Sequence, residues 1–479
     1  MRHVEIRPLA LERLAPLLEP ERRLRLRRLI EQARTLLGGR VVWNISSTAQ
    51  GGGVAEMLQT LIAYARGAGV DARWLVLRGA PDFFAITKRV HNALHGDGGD
   101  GGPLGELEHR RYQDVLDDNL IAIMNEVRAG DIVLLHDPQT AGLARGLAAA
   151  GLHVVWRSHI GRDAPNARTE EGWAFLRPYL EHANAFIFSR ADYPPPWIDP
   201  RCTWIIPPSI DPFITKNVEL APEQVRDILR IAHLCQGHAS AKPVQFPRRD
   251  GRCETMRHHH GLLVDNVPAP PLEARLVVQV SRWDRLKDMA GVMRAFADHI
   301  GELPDDVHLM LAGPEVSGVS DDPEGAQVLA ECISAWRALP PAAHARIHLA
   351  CLAMDDVDEN ALIVNALQRH ACTVVQKSLV EGFGLTVTEA MWKARPVVAS
   401  AVGGIQDQIT DGENGLLVRD PADLDAFAAA LRRTVDDAAL AARLGGAARE
   451  RVRDEFLGDR HLIQYLDLFG ELLGASAAA

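Results

Sequence analysis

The sequence predicts an α/β protein built from two Rossmann-like domains, and three observations carry that expectation. Apolar, β-branched runs alternate with helical patterns through both halves of the chain, as in parallel sheets covered on both faces. Glycine-rich loops open helices at two places, Gly51-Gly52-Gly53 and Gly382-Phe383-Gly384. Between the halves, Pro194 to Pro196 and then Pro207, Pro208 and Pro212 form clusters that fit no helix or sheet interior. They mark a rigid connection with its boundary near Asp211, giving a first domain over 1–211 and a second over 212–450.

Composition narrows the class. A chain of 479 residues is long enough for two or three domains, each with its own core. Hydrophobic content of 47% and charged content of 24% are those of a folded globular protein. The net charge of −11 gives no electrostatic footprint for nucleic acid. The six cysteines (202, 235, 253, 332, 351 and 372) are scattered and form no C-x-x-C, which points to a reducing compartment. No apolar run approaches a membrane span, and the N-terminus lacks a signal-peptide pattern, so a cytoplasmic location is expected.

In the first half, leucines at helical spacing among arginines run from Leu9 to Leu37, and Pro20 splits them into two helices. The basic run Arg22 to Arg28 fits a solvated helix packed by its leucine stripe; contact with an anionic membrane surface is the alternative. Strand Val41–Ile45, the glycine loop, helix Val54–Arg66 and strand Trp74–Leu77 then make a βαβ unit. At such a strand-to-helix junction Gly52 and Gly53 let a phosphate or sugar approach the helix N-terminus, although a plain tight turn has the same composition. Gly96 to Gly102 reads as a flexible surface loop. Two later strand ends are polar: DIVLLHDP places His136 and Asp137, and HVVWRSHIGRD places Arg157, Ser158 and His159. Ligands of open parallel sheets bind beyond the carboxyl ends of strands, so these are candidate site residues, with hydrogen-bonded structural roles as the alternative. Strand Phe186–Arg190 follows.

The stretch from Ile231 to Pro271 holds Cys235, His238, Cys253 and His258-His259-His260, and its spacing matches no zinc motif. It reads as a His-rich solvated insertion. The second domain opens with strand Leu276–Val280 and a loop carrying Arg282 and Lys287, whose cations suit a diphosphate; a surface ion-pair loop has the same look. Strands over Val307–Gly313, Arg346–Leu352 and Thr373–Ser378 come next.

The densest chemistry lies in SLVEGFGLTVTEAMWKARPVVASAVGGI, Ser378 to Ile405. Gly382 and Gly384 permit a turn that presents the N–H groups of Phe383, Gly384 and Leu385, and the helix that follows favours an anion at its start. Glu381 lies outside that helix, where it can accept from sugar hydroxyls, and Glu389 lies about one turn inside, on a side suited to the vicinal hydroxyls of a ribose. A lone pair of glutamates at this spacing also fits an ordinary loop and a solvated helix face.

These motifs resemble the retaining glycosyltransferases of the GT-B fold. EGFGLTVTEAMWK followed by PVV and AVGGI, with GGGVAEML, FFAITKRVHNALHG, PPSIDP and SRxDxxKD, is similar to one branch of them, the trehalose glycosyltransferring synthases. The resemblance covers nearly the whole chain apart from the glycine-rich loop Gly96 to Gly102 and the His-rich insertion. It implies two Rossmann-like domains facing a cleft, a C-terminal helix (451–473) packing back on the first domain, and a homodimer. It also implies transfer of glucose from a nucleoside-diphosphate glucose to glucose, giving α,α-trehalose with retention, by same-face attack and with neither cofactor nor metal. On this reading Arg282, Lys287 and the backbone at 382–385 meet the leaving diphosphate, Glu381 the donor glucose, Glu389 the ribose, and His159 and Asp137 the reacting sugars. A trehalose phosphorylase, a lipid-directed glycosyltransferase and a non-catalytic sugar-nucleotide sensor remain as alternatives, and the nucleotide base is not legible.

Overall fold

A computed structural model of the chain describes residues 1–49, 52–238, 240, 242–249, 251–316 and 323–474. They fall into two compact units, Met1–Ile210 with the residues from Phe456 onward, and Asp211–Glu455.

The first unit is built on seven strands: β1 (Arg2–His3), β2 (Val41–Ser46), β3 (Asp71–Val76), β4 (Ile132–His136), β5 (His153–Arg157), β6 (Ala185–Phe188) and β7 (Thr203–Ile205). Their order is β1-β3-β2-β4-β5-β6-β7, parallel throughout except for β1. Strands covered on both faces are apolar at nearly every position, and β4 (IVLLH) is buried along its whole length. Because β2 pairs with both β3 and β4, the winding reverses there, and the space beyond the ends of β2 and β4 is the unit's topological switch point. Trp43, Trp156, Phe175 and Phe188 lie in the larger core cluster, and Ile6, Leu58 and Trp74 in a second.

Two further features shape this unit. Pro20 occupies the first position of the helix Pro20–Leu37, where its missing N–H costs nothing, and a short 3₁₀ segment Leu11–Leu17 precedes it. The helix buries Leu26, Leu29, Ile30, Ala33 and Leu37. Its Arg22 is held bidentate by the fully buried Asp459, at 2.6 and 2.8 Å, on the C-terminal helix Gly458–Leu472.

The second unit carries a small hairpin, β8 (Gln245–Pro247) with β9 (Cys253–Thr255), and a parallel sheet of β10 (Arg275–Val280), β11 (Val307–Pro314), β12 (Ile347–Leu352), β13 (Thr373–Gln376), β14 (Val397–Ser400) and β15 (Leu416–Val418). The order β12-β11-β10-β13-β14-β15 puts the switch point between β10 and β13. Trp283, Phe296, Trp336 and Phe427 fill the core.

The stretch 231–271, expected as a solvated insertion, is exposed at most described positions from 236 to 260 and is also docked through its arginines. Arg248 grips Asp356 at 2.6 Å, Arg249 lies 2.9 Å from Asp358, and Arg257 reaches Glu359 at 2.6 Å and Asp355 at 2.8 Å. These acids sit at the start of the helix Val357–His370, where negative charge also opposes the helix dipole. Of the three consecutive histidines, His258 and His260 are exposed, while His259 lies 3.3 Å from Glu359. Among the described residues no three His, Cys, Asp or Glu side chains gather as a metal ion would need. None of the described helices is long and apolar enough to cross a membrane.

Candidate active site

Each unit collects its polar side chains beyond the strand ends at its switch point. In the second unit the 3₁₀ turn Arg285–Lys287, opened by Asp284 accepting the N–H of Leu286 at 2.8 Å, follows the loop after β10. Lys287 extends from it to Glu381, with Nζ donating to Oε2 at 2.6 Å. Ser378 Oγ donates to the same oxygen at 3.1 Å.

The framework of this pair is a polar network on the two central strands. Gln279 of β10 donates its amide to the carbonyl of Lys287 at 2.9 Å. Gln376 of β13 donates to Ser378 Oγ at 3.0 Å and accepts from Thr386 Oγ1 at 3.2 Å. The N–H of Leu379 donates to the carbonyl of Leu286 at 2.8 Å, stitching the two loops together. Asp288 adopts φ 46°, ψ 46°, caps the next helix through Gly291 N–H at 3.0 Å, and is bound by the ammonium of the fully buried Lys377. The backbone on both sides of Lys287 is therefore fixed, and its side chain is aimed at Glu381.

The glycine turn is held from behind. Gln408 donates to the carbonyl of Phe383 at 2.6 Å, and the N–H of Gly404 donates to that of Gly382 at 3.2 Å. A Cβ on Gly404 would stand 2.6 Å from the Phe383 ring, so this crossing admits only glycine. Gly384 takes φ 84°, ψ 58° and starts the helix Leu385–Trp392; its carbonyl accepts the N–H of Val387 at 2.9 Å, and the N–H groups of Leu385 and Thr386 precede the first bond of the helix. That end is a ready anion site. Arg282 is exposed, with its guanidinium 3.5 Å from Asp284. Glu389 is buried on the same short helix and pairs with Lys216 at 3.1 Å. Behind it the fully buried Lys393 donates to Gln368 at 2.7 Å; burial pulls its pKa below the ordinary lysine value, and the charge of Glu389 opposes that shift.

In the first unit Asn44 of β2, His136 at the end of β4, and His159 just beyond β5 form a chain. His136 Nε2 lies 3.1 Å from Asn44 Oδ1, and its Nδ1 lies 3.1 Å from His159 Nε2. With the Asn44 oxygen accepting, His136 carries its proton on Nε2, His159 donates from its own Nε2, and Nδ1 of His159 is left as an acceptor. Burial, and after it the charge of Arg157, pulls His136 down to about 3 and His159 well below 6.5, so both rings are neutral at physiological pH.

Asp137 sits at φ 63°, ψ 178°, a region that costs a non-glycine residue about 1–3 kcal/mol. Several bonds hold it there. Its N–H donates to the Arg157 carbonyl at 2.8 Å, and its own carbonyl accepts from Thr140 Oγ1 and Trp156 Nε1, each at 3.1 Å. Its carboxylate accepts the N–H of His159 at 2.7 Å. Burial raises its pKa to about 7, against the His159 N–H and the Arg157 charge, which lower it.

Arg157 is expected at the substrate, but its guanidinium is fully buried in the unit's interior. It donates to His461 Nε2 at 2.9 Å, to the hydroxyl of Tyr465 and to the carbonyl of Ile206 at 3.1 Å. Gly52 caps the helix Gly53–Gly67 with φ 83°; Gly51 lies outside the described residues. Sequence reasoning missed Lys216, Gln376, Lys377 and Asn44. For two of them a signal existed: Gln376 ends the buried strand TVVQ and Lys377 follows it, directly before Ser378.

Residues 44–195 match the family described as "Trehalose synthase, N-terminal domain", and residues 264–451 match "Glycosyl transferases group 1". The chain is 34% identical over 445 residues to a trehalose synthase of Pyrococcus horikoshii, covering 93% of each, and 34% identical over 449 residues to that of Rubrobacter xylanophilus, again covering 93% of each. Among solved structures it is similar to an α,α-trehalose-phosphate synthase (UDP-forming) from Burkholderia vietnamiensis, with a TM-score of 0.64 at 14% identity, covering 90% of this chain and 98% of that one. Two doubly wound parallel sheets with these neighbours define a glycosyltransferase of the GT-B fold. Within that class, the chain belongs to the trehalose synthase family.

Proposed function

We propose that the enzyme transfers glucose from a nucleoside-diphosphate glucose to glucose, forming α,α-trehalose with retention. The observation that carries this reading is the Lys287–Glu381 contact of 2.6 Å at the switch point of the second unit, beside the open start of the helix Leu385–Trp392. An ammonium, a nearby guanidinium and the first two N–H groups of a helix suit a diphosphate whose charge grows as the glycosidic bond breaks. Glu381 is the acceptor for donor-sugar hydroxyls, and Glu389 for the ribose. On the first unit, Asp137 and the lone pair of His159 serve the reacting sugars. In the step itself the bond from C1 to the phosphate oxygen breaks, that from C1 to the acceptor oxygen forms on the same face, and the acceptor's proton passes to the departing phosphate oxygen. No further cofactor is needed. By the same family argument the chain acts as a homodimer, which sizing by light scattering would read directly.

The test is product analysis with glucose and, separately, ADP-, UDP- and GDP-glucose, beside a reaction of trehalose with inorganic phosphate. Trehalose and free nucleoside diphosphate are expected. Turnover only with trehalose and phosphate would replace the synthase by a phosphorylase, and a trapped glycosyl-enzyme adduct would overturn same-face attack.

Asp137 sets an expected pH dependence. If its carboxylate orients a sugar hydroxyl, kcat/KM should fall about tenfold per unit below a pKa near 7, and Asp137→Asn should abolish that limb along with most of the activity. The stability effect has a definite sign. The folded-state pKa of about 7 lies above the ordinary aspartate value of 3.8, so between those values the folded protein keeps a proton that the unfolded chain has lost. Stability from this group therefore declines as pH rises through that window. A pH-independent kcat/KM between 5.5 and 8 in the wild-type enzyme would remove Asp137 from the mechanism.

A further inference from the structure

We propose that Lys216 is a ligand-binding residue that acts with Glu389 as a donor–acceptor pair for a vicinal diol, so that the site selects a nucleotide carrying both ribose hydroxyls. The inference rests on the reading of Glu389 as the ribose carboxylate. Lys216 Nζ lies 3.1 Å from Glu389 Oε1, with 18% of the lysine side chain and 4% of the glutamate side chain exposed. A solvent-exposed pair would be a screened surface contact of little consequence, and a sealed one would be structural; this pair reaches the solvent edge through the lysine alone.

The backbone around Lys216 is pinned on both sides. The carbonyls of Thr215 and Val218 each accept from Asn365 Nδ2 at 2.9 Å, and Thr215 Oγ1 donates to the Pro247 carbonyl at 2.6 Å. The carbonyl of Asn217 accepts from Arg369 at 3.1 Å and from Trp392 Nε1 at 3.3 Å, while its side-chain oxygen accepts from Lys393 at 3.2 Å. Lys393 also donates to the backbone carbonyl of Glu389 at 3.2 Å. The buried lysine thus serves the framework, and the partly exposed one stands beside the carboxylate.

The chemistry of the pair is specific. A carboxylate only accepts hydrogen bonds and an ammonium only donates them, whereas each hydroxyl of a vicinal diol does both. Side by side, Glu389 and Lys216 match the two hydroxyls of one ribose: the carboxylate accepts their hydrogen bonds and the ammonium donates to an oxygen. A 2′-deoxyribose lacks one of the two hydroxyls, so part of the hydrogen bonding that the pair offers goes unmade, and a site built to bond a hydroxyl rejects the analogue that lacks it.

The test is calorimetric titration of the full chain with ADP, UDP and GDP, and with the 2′-deoxy analogue of whichever binds tightest, using wild type, Lys216→Met and Lys216→Gln. The wild type is expected to bind the ribonucleotide at least tenfold more tightly than the deoxy form. Both variants should bind the ribonucleotide about tenfold more weakly and lose most of the discrimination, with thermal unfolding showing which of them is folded. Wild-type affinity and discrimination in either folded variant would overturn the role of Lys216 and leave the function above standing. Failure of the wild type to bind any of the three diphosphates would sink both.

Discussion

Replacing Lys287 by alanine should lower kcat by about 10²–10³-fold with a much smaller change in KM. The ammonium faces charge that develops on the leaving diphosphate mainly in the transition state, and removing one such preorganised donor has consequences of that size. The structure adds a second reason. Glu381 accepts from Lys287 and from Ser378, and loss of the lysine takes a charged donor from a largely buried carboxylate. Lys287→Arg should recover only part of the rate, because a planar fork cannot place its charge where a single ammonium stands. Steady-state kinetics with the donor nucleotide varied separate the cases. A rise in KM with kcat intact would mean that Lys287 binds the ground state and does not assist departure of the diphosphate.

Arg157→Met should destabilise the first unit by about 3–5 kcal/mol. The substitution leaves three buried acceptors, His461 Nε2, the Tyr465 hydroxyl and the Ile206 carbonyl, without their common donor. Arg157→Lys should not rescue it, since one ammonium cannot reproduce the directions of the guanidinium. The tautomer of His461 follows from the same geometry: its Nε2 accepts from Arg157, so its Nδ1–H donates to Ser209 Oγ, 2.9 Å away. Guanidinium titration followed by tryptophan fluorescence reads the loss, because Trp156 stands next to Arg157 on β5. A midpoint equal to that of wild type would show that the network is dispensable.

How much of this was legible in sequence depended on how far apart the partners lie. The β10 and β13 strands, the glycine turn and the Glu381 and Lys287 side chains stand in short strings whose periodicity and punctuation define their place. Arg157 looked like a substrate residue because it ends an apolar strand, as Asp137 and His159 nearly do; its actual partner His461 lies 304 residues away on an amphipathic helix that gives no sign of a buried acceptor. Lys216 was hidden in the same way, in a proline-rich connection with no helix or strand to give it direction. The hairpin β8–β9 escaped because three-residue strands carry no measurable period, and the three histidines drew attention from the arginines that dock the segment.

The division of the chain also bears on the order in which it folds. The second unit is one continuous segment, whereas the first needs residues from Phe456 onward to complete it. Asp459, His461 and Tyr465, which meet Arg22 and Arg157, are made only after the whole of the second unit. Domains ordinarily finish in the order in which they are made. Here the first unit draws on both ends of the chain, and a protein truncated before Phe456 lacks the partners of Arg22 and Arg157 that the last helix supplies.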